Sequence, residues 1–132
     1  MRELNGHKVN ECNEAISIAA DERDPNNGNA SHLYTLTIKR HTPADSAIST
    51  QLPDRSVVLQ FQHGPIKEVG VNGLTNEALL AIVIDRLEGF QSGPYACVEN
   101  QEALDYLLEA QHHLKQRTRA RVARGVEGTH QV

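Results

Sequence analysis

TNEALLAIVIDRLEGF (residues 75–90), QSGP (91–94) and YACVENQEALDYLLEAQHHLKQRTRARVAR (95–124) decide the fold of this chain. The first segment reads as a helix. Thr75 is an N-cap and Glu77 falls in the first turn, where the helix dipole favours an acid. Leu79, Val83 and Leu87 form one stripe, Leu80, Ile84 and Phe90 the next, and Ile82 lies further round. A helix this apolar is covered on two sides, by its neighbour and by the sheet or a second copy. Gln91-Ser92-Gly93-Pro94 turns the chain, and Pro94 is expected in the first turn of a second helix. Leu104, Leu107, Leu108 and Leu114 carry that helix to about Arg124, with Gly125 as the residue just past its end.

Upstream, residues 15–20 alternate, with Ile16, Ile18 and Ala20 on one face. Asp24-Pro25-Asn26-Asn27-Gly28-Asn29 is turn chemistry, and residues 33–39 form the next strand, with Tyr34, Leu36 and Ile38 together. Residues 55–62 make a third strand with Val57, Leu59 and Phe61 inward. Residues 1–14 read as a polar loop or edge segment, and residues 40–54 as a loop. The fold class is therefore α+β: a small N-terminal antiparallel sheet over residues 1–62, a glycine-containing connection over 63–73, and an antiparallel helical hairpin with its tail over 74–132.

The chain of 132 residues has a formal net charge of −4, which argues against a general binder of long nucleic acid. The charge is uneven. Residues 10–24 are acidic, whereas Lys115, Arg117, Arg119, Arg121 and Arg124 are uncompensated by any acid between Ala110 and Gly125. Such a run is either a solvated tail that offsets the helix dipole or a small-anion site, since Arg forks fit phosphate. Phe90 and Asn100 flank the inter-helix turn. They either close the hairpin and face solvent, or form a pocket in which a ring stacks on a base and an amide reads its edge.

Cys12 and Cys97 form no CxxC unit and are expected as reduced thiols in a cytosolic setting. The N-terminus shows no signal-peptide pattern, and the apolar run 78–84 is too short to span a membrane. His112 and His113 are neighbours on a helix and point apart, so no metal site is expected, and no cofactor. No nucleophile elbow, P-loop or HExxH occurs, so no catalytic residue is assigned and the chain is expected not to be an enzyme. Asn100 and Arg117 stand 17 positions apart on one helix, roughly 25 Å at helical rise. One small ligand reaches both only if they belong to different chains packed antiparallel.

Phe61-Gln62-His63-Gly64-Pro65-Ile66-Lys67-Glu68, Gly70-Val71-Asn72-Gly73, Asn76-Glu77, Leu79 to Leu87, Phe90-Gln91, Gly93-Pro94, Cys97, Glu99-Asn100, Arg117-Thr118 and Arg124-Gly125-Val126-Glu127-Gly128-Thr129-His130 together resemble a phage family. That family is the Thoeris anti-defence sponge of the first-described type, whose helical hairpin is shared with the phage anti-CBASS sponge. The resemblance covers about residues 55–132. It implies a protein of the infected host's cytoplasm that sequesters small cyclic nucleotide signals without cleaving them: cyclic ADP-ribose isomers in Thoeris, and for some members CBASS cyclic oligonucleotides at a second site. It also implies homo-oligomers, from dimers to hexamers. By this resemblance Phe90, Gln91 and Asn100 fall in the cyclic ADP-ribose pocket, with Phe90 on the adenine. Arg117 would meet the diphosphate, with Arg121 and Arg124 as further candidates. His63, Gly64, Pro65, Ile66 and Lys67 would line the second site, with Lys67 on a phosphate. The alternative is a structural or RNA-binding hairpin oligomer that uses its arginines on phosphates.

Overall fold

The computed structural model describes residues 1–43 and 52–132, and the chain divides into two compact units, Met1–His63 and Gly64–Val132. The loop expected over residues 40–54 lies largely outside the described residues.

The first unit is a four-stranded antiparallel sheet in sequence order: β1 (Arg2–Leu4), β2 (Ile16–Ala20), β3 (Leu33–Ile38) and β4 (Arg55–Gln60). A one-turn helix, α1 (Glu11–Glu14), precedes β2. The register sets Leu4, Ile18, Leu36 and Val57 in one cross-strand row, and Ala20, Tyr34 and Leu59 in the next. Cross-strand partners share a face, so the alternation read from the sequence becomes one apolar face. Ser17, Thr37 and Ser56 align on the other face. Phe61 continues the apolar row past β4, its ring edge-on to Tyr34 at 5.4 Å between centroids.

Of the two expectations for the N-terminus, a polar loop or an edge segment, strand β1 realises the edge segment. It pairs as an edge strand with β2, and three residues are too few to show alternation. The β2–β3 turn is built as its residues dictate. Gly28 and Asn29 take positive φ, 76° and 56°, and the Asn29 N–H returns to the Asp24 carbonyl at 2.8 Å.

The second unit holds α2 (Ile66–Val69), α3 (Asn76–Gln91) and α4 (Val98–Ala123). Thr75 caps α3, its side chain accepting from the Ala78 N–H at 3.1 Å. Helix α4 starts later than expected. Pro94 is not its first-turn residue but the second position of a β-turn closed by the Ala96 N–H on the Gly93 carbonyl at 3.3 Å. Cys97 is then extended, with φ −152°, and serves as the N-cap.

Helices α3 and α4 run antiparallel in a register fixed at two points. The Gln91 side chain grips Cys97, and fourteen positions further along each helix Gln111 donates to the Glu77 carbonyl at 3.3 Å. Ile84 and Leu104 are the buried apolar residues of this unit, while Ile82, Val83, Tyr106 and Leu108 remain exposed. A hairpin that buries so little has apolar faces left over for another partner. Among the described residues no helix is long and apolar enough to cross a membrane.

Candidate functional site

The turn end of the hairpin presents Phe90 in the last turn of α3 and Asn100 in the first turn of α4. Phe90 is 41% exposed, and the Arg86 guanidinium carbon stands 5.5 Å from its ring centroid. The two are a helical turn apart, so Arg86 steadies the ring by a cation–π contact while leaving it open to solvent. Asn100 is half-buried. Gln91, also expected at the ligand, is engaged in the turn. Its amide nitrogen donates to the Cys97 carbonyl at 3.1 Å, and its amide oxygen accepts from the Cys97 N–H at 3.0 Å. The same nitrogen lies 3.3 Å from Gln101 Oε1. With both ends of its amide committed to the turn, Gln91 fixes where α4 begins relative to the end of α3.

At the other end, Arg117, Arg121 and Arg124 fall at i, i+4 and i+7, a single stripe of α4. They behave differently. Lys115, Arg117 and Arg119 are exposed, and among the described residues none of the three makes an ion pair. Arg121 is only 8% exposed. Its Nε donates to Glu127 Oε2 at 2.9 Å, one terminal nitrogen to the Gln131 carbonyl at 2.7 Å, and the other to the Val126 and Thr129 carbonyls at 3.0 and 3.3 Å. Arg121, expected as a further phosphate contact, has its fork turned inward in this chain, where it fastens the tail. Arg124 is exposed and donates to the Val132 carbonyl at 2.8 Å.

What aims the tail at Arg121 is the helix terminus. Gly125 takes φ 71°, its N–H bonds the Val122 carbonyl, and the Val126 N–H bonds the Arg121 carbonyl at 3.0 Å. This is a Schellman ending, and glycine supplies the left-handed residue it requires.

The expected second-site loop is divided between the units. His63 ends the first unit, while Gly64, Pro65, Ile66 and Lys67 open the second. Gly64 has φ 90°, and a Cβ there would come 2.9 Å from Val69. Pro65 caps α2 in an extended conformation, and Lys67 is exposed. The Lys67 N–H donates to the Gly128 carbonyl at 3.1 Å, and Glu68 meets His130 at 3.3 Å. The structure thus brings Ile66 and Lys67 against the very tail that Arg121 holds. Sequence spacing gave no sign of this, since the two segments stand some sixty residues apart.

A second juxtaposition missed by sequence spacing lies in the sheet unit. Asp24, His32 and His63 meet at one end of the sheet. The Asp24 carboxyl is held down at about 2 by hydrogen bonds from the Asn27 side chain, from His63 and from the Asn26 N–H.

Comparison with known proteins bears on the hairpin in particular. Residues 53–119 match the family model described as the Acb2/Tad1 hairpin domain. A curated relative, "Thoeris anti-defense 1" of Bacillus phage SBSphiJ7, is 49% identical over 73 residues. That alignment takes in 55% of this chain and 51% of the relative, so the chain spans about half the relative's length.

Proposed function

The chain belongs to the Acb2/Tad1 hairpin-domain family, and on that premise we propose that it is a phage anti-defence protein acting against Thoeris. In this reading it binds cyclic ADP-ribose-type signals in the host cytoplasm and holds them without cleavage. CBASS cyclic oligonucleotides are the further ligand class that the loop from Gly64 to Lys67 would serve.

The observation that carries the reading is the division of labour along one uninterrupted helix. Helix α4 keeps Asn100 at the turn end, where the last turn of α3 carries Phe90, and Arg117 at the other end, roughly 25 Å away by helical rise. An exposed ring and an amide suit a base, and an unpaired guanidinium suits a diphosphate. Two copies packed antiparallel would bring the ends together. The exposed Ile82, Val83, Tyr106 and Leu108 are apolar surface of the kind such packing covers. The alternative of an RNA-binding hairpin is weakened by the inward turn of Arg121, which removes a cation from the face it would use.

Native mass spectrometry of the protein with a panel of cyclic nucleotides tests the reading. It expects an oligomer that retains cyclic ADP-ribose isomers. A monomer that retains no cyclic nucleotide contradicts it.

A further inference from the structure

The sheet unit carries a cluster that the hairpin site does not use. Asp24 lies in the β2–β3 turn, His32 directly before β3, and His63 just beyond β4. Each offers one ligand atom, and these atoms all lie within 4.8 Å of one another. Strand register makes the meeting. The Phe61 N–H donates to the His32 carbonyl at 2.7 Å, so the chain leaving β4 runs beside the chain entering β3. The turn is fixed to the same end by the Asp21 carboxylate, which accepts from the His32 N–H at 3.0 Å.

Two features set this cluster apart from an ordinary surface group. His32 is 8% exposed, and its Nε2 is buried with no hydrogen-bond partner among the described residues. A buried imidazole nitrogen with nothing to bind calls for a reason. In addition, the His63 ring stacks on His32, with centroids 4.4 Å apart and planes 14° from parallel, while its Nε2 sits 2.8 Å from Asp24 Oδ2.

We propose that Asp24, His32 and His63 form a binding site for a divalent transition-metal ion of the zinc class. Two imidazoles and a carboxylate are the donor set for such ions, whereas calcium and magnesium take oxygen ligands. Three protein ligands leave a coordination position open to water on the side of His63, which is the exposed member. A metal lies in the plane of each imidazole that binds it, so the stacked rings must part. His63 is the exposed member and turns, while the buried His32 stays in place. The ligand atoms then draw in to the separations of about 3.3 Å that tetrahedral Zn–N bonds of about 2.0–2.1 Å require. Asp24 is already oriented: the Asn26 N–H and Asn27 Nδ2 donate to its two oxygens at 2.9 and 2.7 Å. Such supports are how proteins hold a ligating carboxylate. The bound ion would tie the 24–29 turn to the ends of β3 and β4.

The test uses untagged, chelator-treated full-length protein titrated with Zn²⁺ and with Co²⁺, and no nucleotide, so its outcome is independent of the signal-binding reading. Calorimetry should give a single ion per chain. Co²⁺ should develop the visible absorption of a tetrahedral site, and the imidazole nitrogen resonances of His32 and His63 should shift with Zn²⁺. His63→Ala and Asp24→Asn, each checked for folding by circular dichroism, should weaken binding by about tenfold or more. A double variant, His112→Ala with His113→Ala, should bind as the parent does. No binding up to millimolar Zn²⁺, or parental affinity in both His63→Ala and Asp24→Asn, overturns the proposal.

Discussion

The side-chain amide of Gln91 pairs with the peptide of Cys97 at both ends, donating to its carbonyl at 3.1 Å and accepting from its N–H at 3.0 Å. A single side chain thereby sets where α4 begins and where Asn100 stands relative to Phe90. Gln91→Ala removes both bonds, which are solvent-exposed, so the expected loss is about 1 kcal/mol. Urea unfolding should show a lower midpoint with an unchanged slope. An unchanged midpoint would show that the turn holds without the clamp.

Arg121 and Arg117 lie one helical turn apart and should separate stability from binding. Arg121→Ala abandons four hydrogen bonds at a buried guanidinium, and a loss of about 2–4 kcal/mol is expected. Hydrogen exchange should quicken at the Lys67 amide, which bonds the tail carbonyl of Gly128. Arg117→Ala should change stability by less than about 0.5 kcal/mol, because the side chain is exposed, yet weaken cyclic ADP-ribose binding. Equal stability of the two variants would contradict the assignment.

Two glycines of the tail should respond unequally to alanine. Gly125 has φ 71° with open space where a Cβ would go, so Gly125→Ala should cost about 1 kcal/mol of backbone strain. Gly128 has φ 79°, and its added Cβ would stand 2.7 Å from Ile66 Cγ1 and 3.2 Å from Lys67 Cγ. Gly128→Ala should therefore cost more, about 2–3 kcal/mol, and should loosen α2. Thermal unfolding of both variants decides the order, and a smaller loss at Gly128 would contradict the packing described.

The Asp24 carboxyl gives the sheet unit an acid-dependent contribution to stability. Folding lowers its value from the ordinary 3.8 to about 2, chiefly through the Asn27 side chain, then His63 and the Asn26 N–H. Between those values the unfolded chain binds more protons than the folded one, so stability rises with pH there. The contribution is complete above about 3.8 and is lost as pH falls toward about 2. Asp24→Asn should flatten that part of a stability profile taken by urea unfolding. A slope identical to the parent's would show that the carboxylate is not linked to folding.

A ligand site made by two chains predicts complementation. Phe90→Ala and Arg117→Ala should each lose cyclic ADP-ribose binding as pure proteins while remaining oligomeric. Refolded together in equal amounts they should regain about a quarter of the parental sites, since only the mixed two-fold pair holds one intact site. Calorimetric stoichiometry reads this directly. No recovery would contradict a site that takes Phe90 from one chain and Arg117 from the other.

Much of this architecture was legible because local chemistry and tertiary role coincided. Ile16, Ile18 and Ala20 alternate and lie on one face, Thr75 caps a helix, and Gly125 ends one. Legibility failed where a residue had two local options or a distant partner. Pro94 suits a helix start and a β-turn equally, and the grip of Gln91 on Cys97 decides for the turn. Arg121 looks like its neighbours in sequence, yet its position on α4 directs it to carbonyls that the Schellman turn brings back. Asp24, His32 and His63 carry no ligand spacing, because only the pairing of β3 with β4 assembles them.

In the reading proposed above, the protein removes a signal from circulation by holding it intact. The decisive measurement saturates the purified protein with a cyclic ADP-ribose isomer, washes away free ligand, denatures the protein and identifies what is released by mass spectrometry. The unaltered cyclic molecule should be recovered in proportion to protein. Recovery of a linear or hydrolysed product, or of no nucleotide at all, would contradict it.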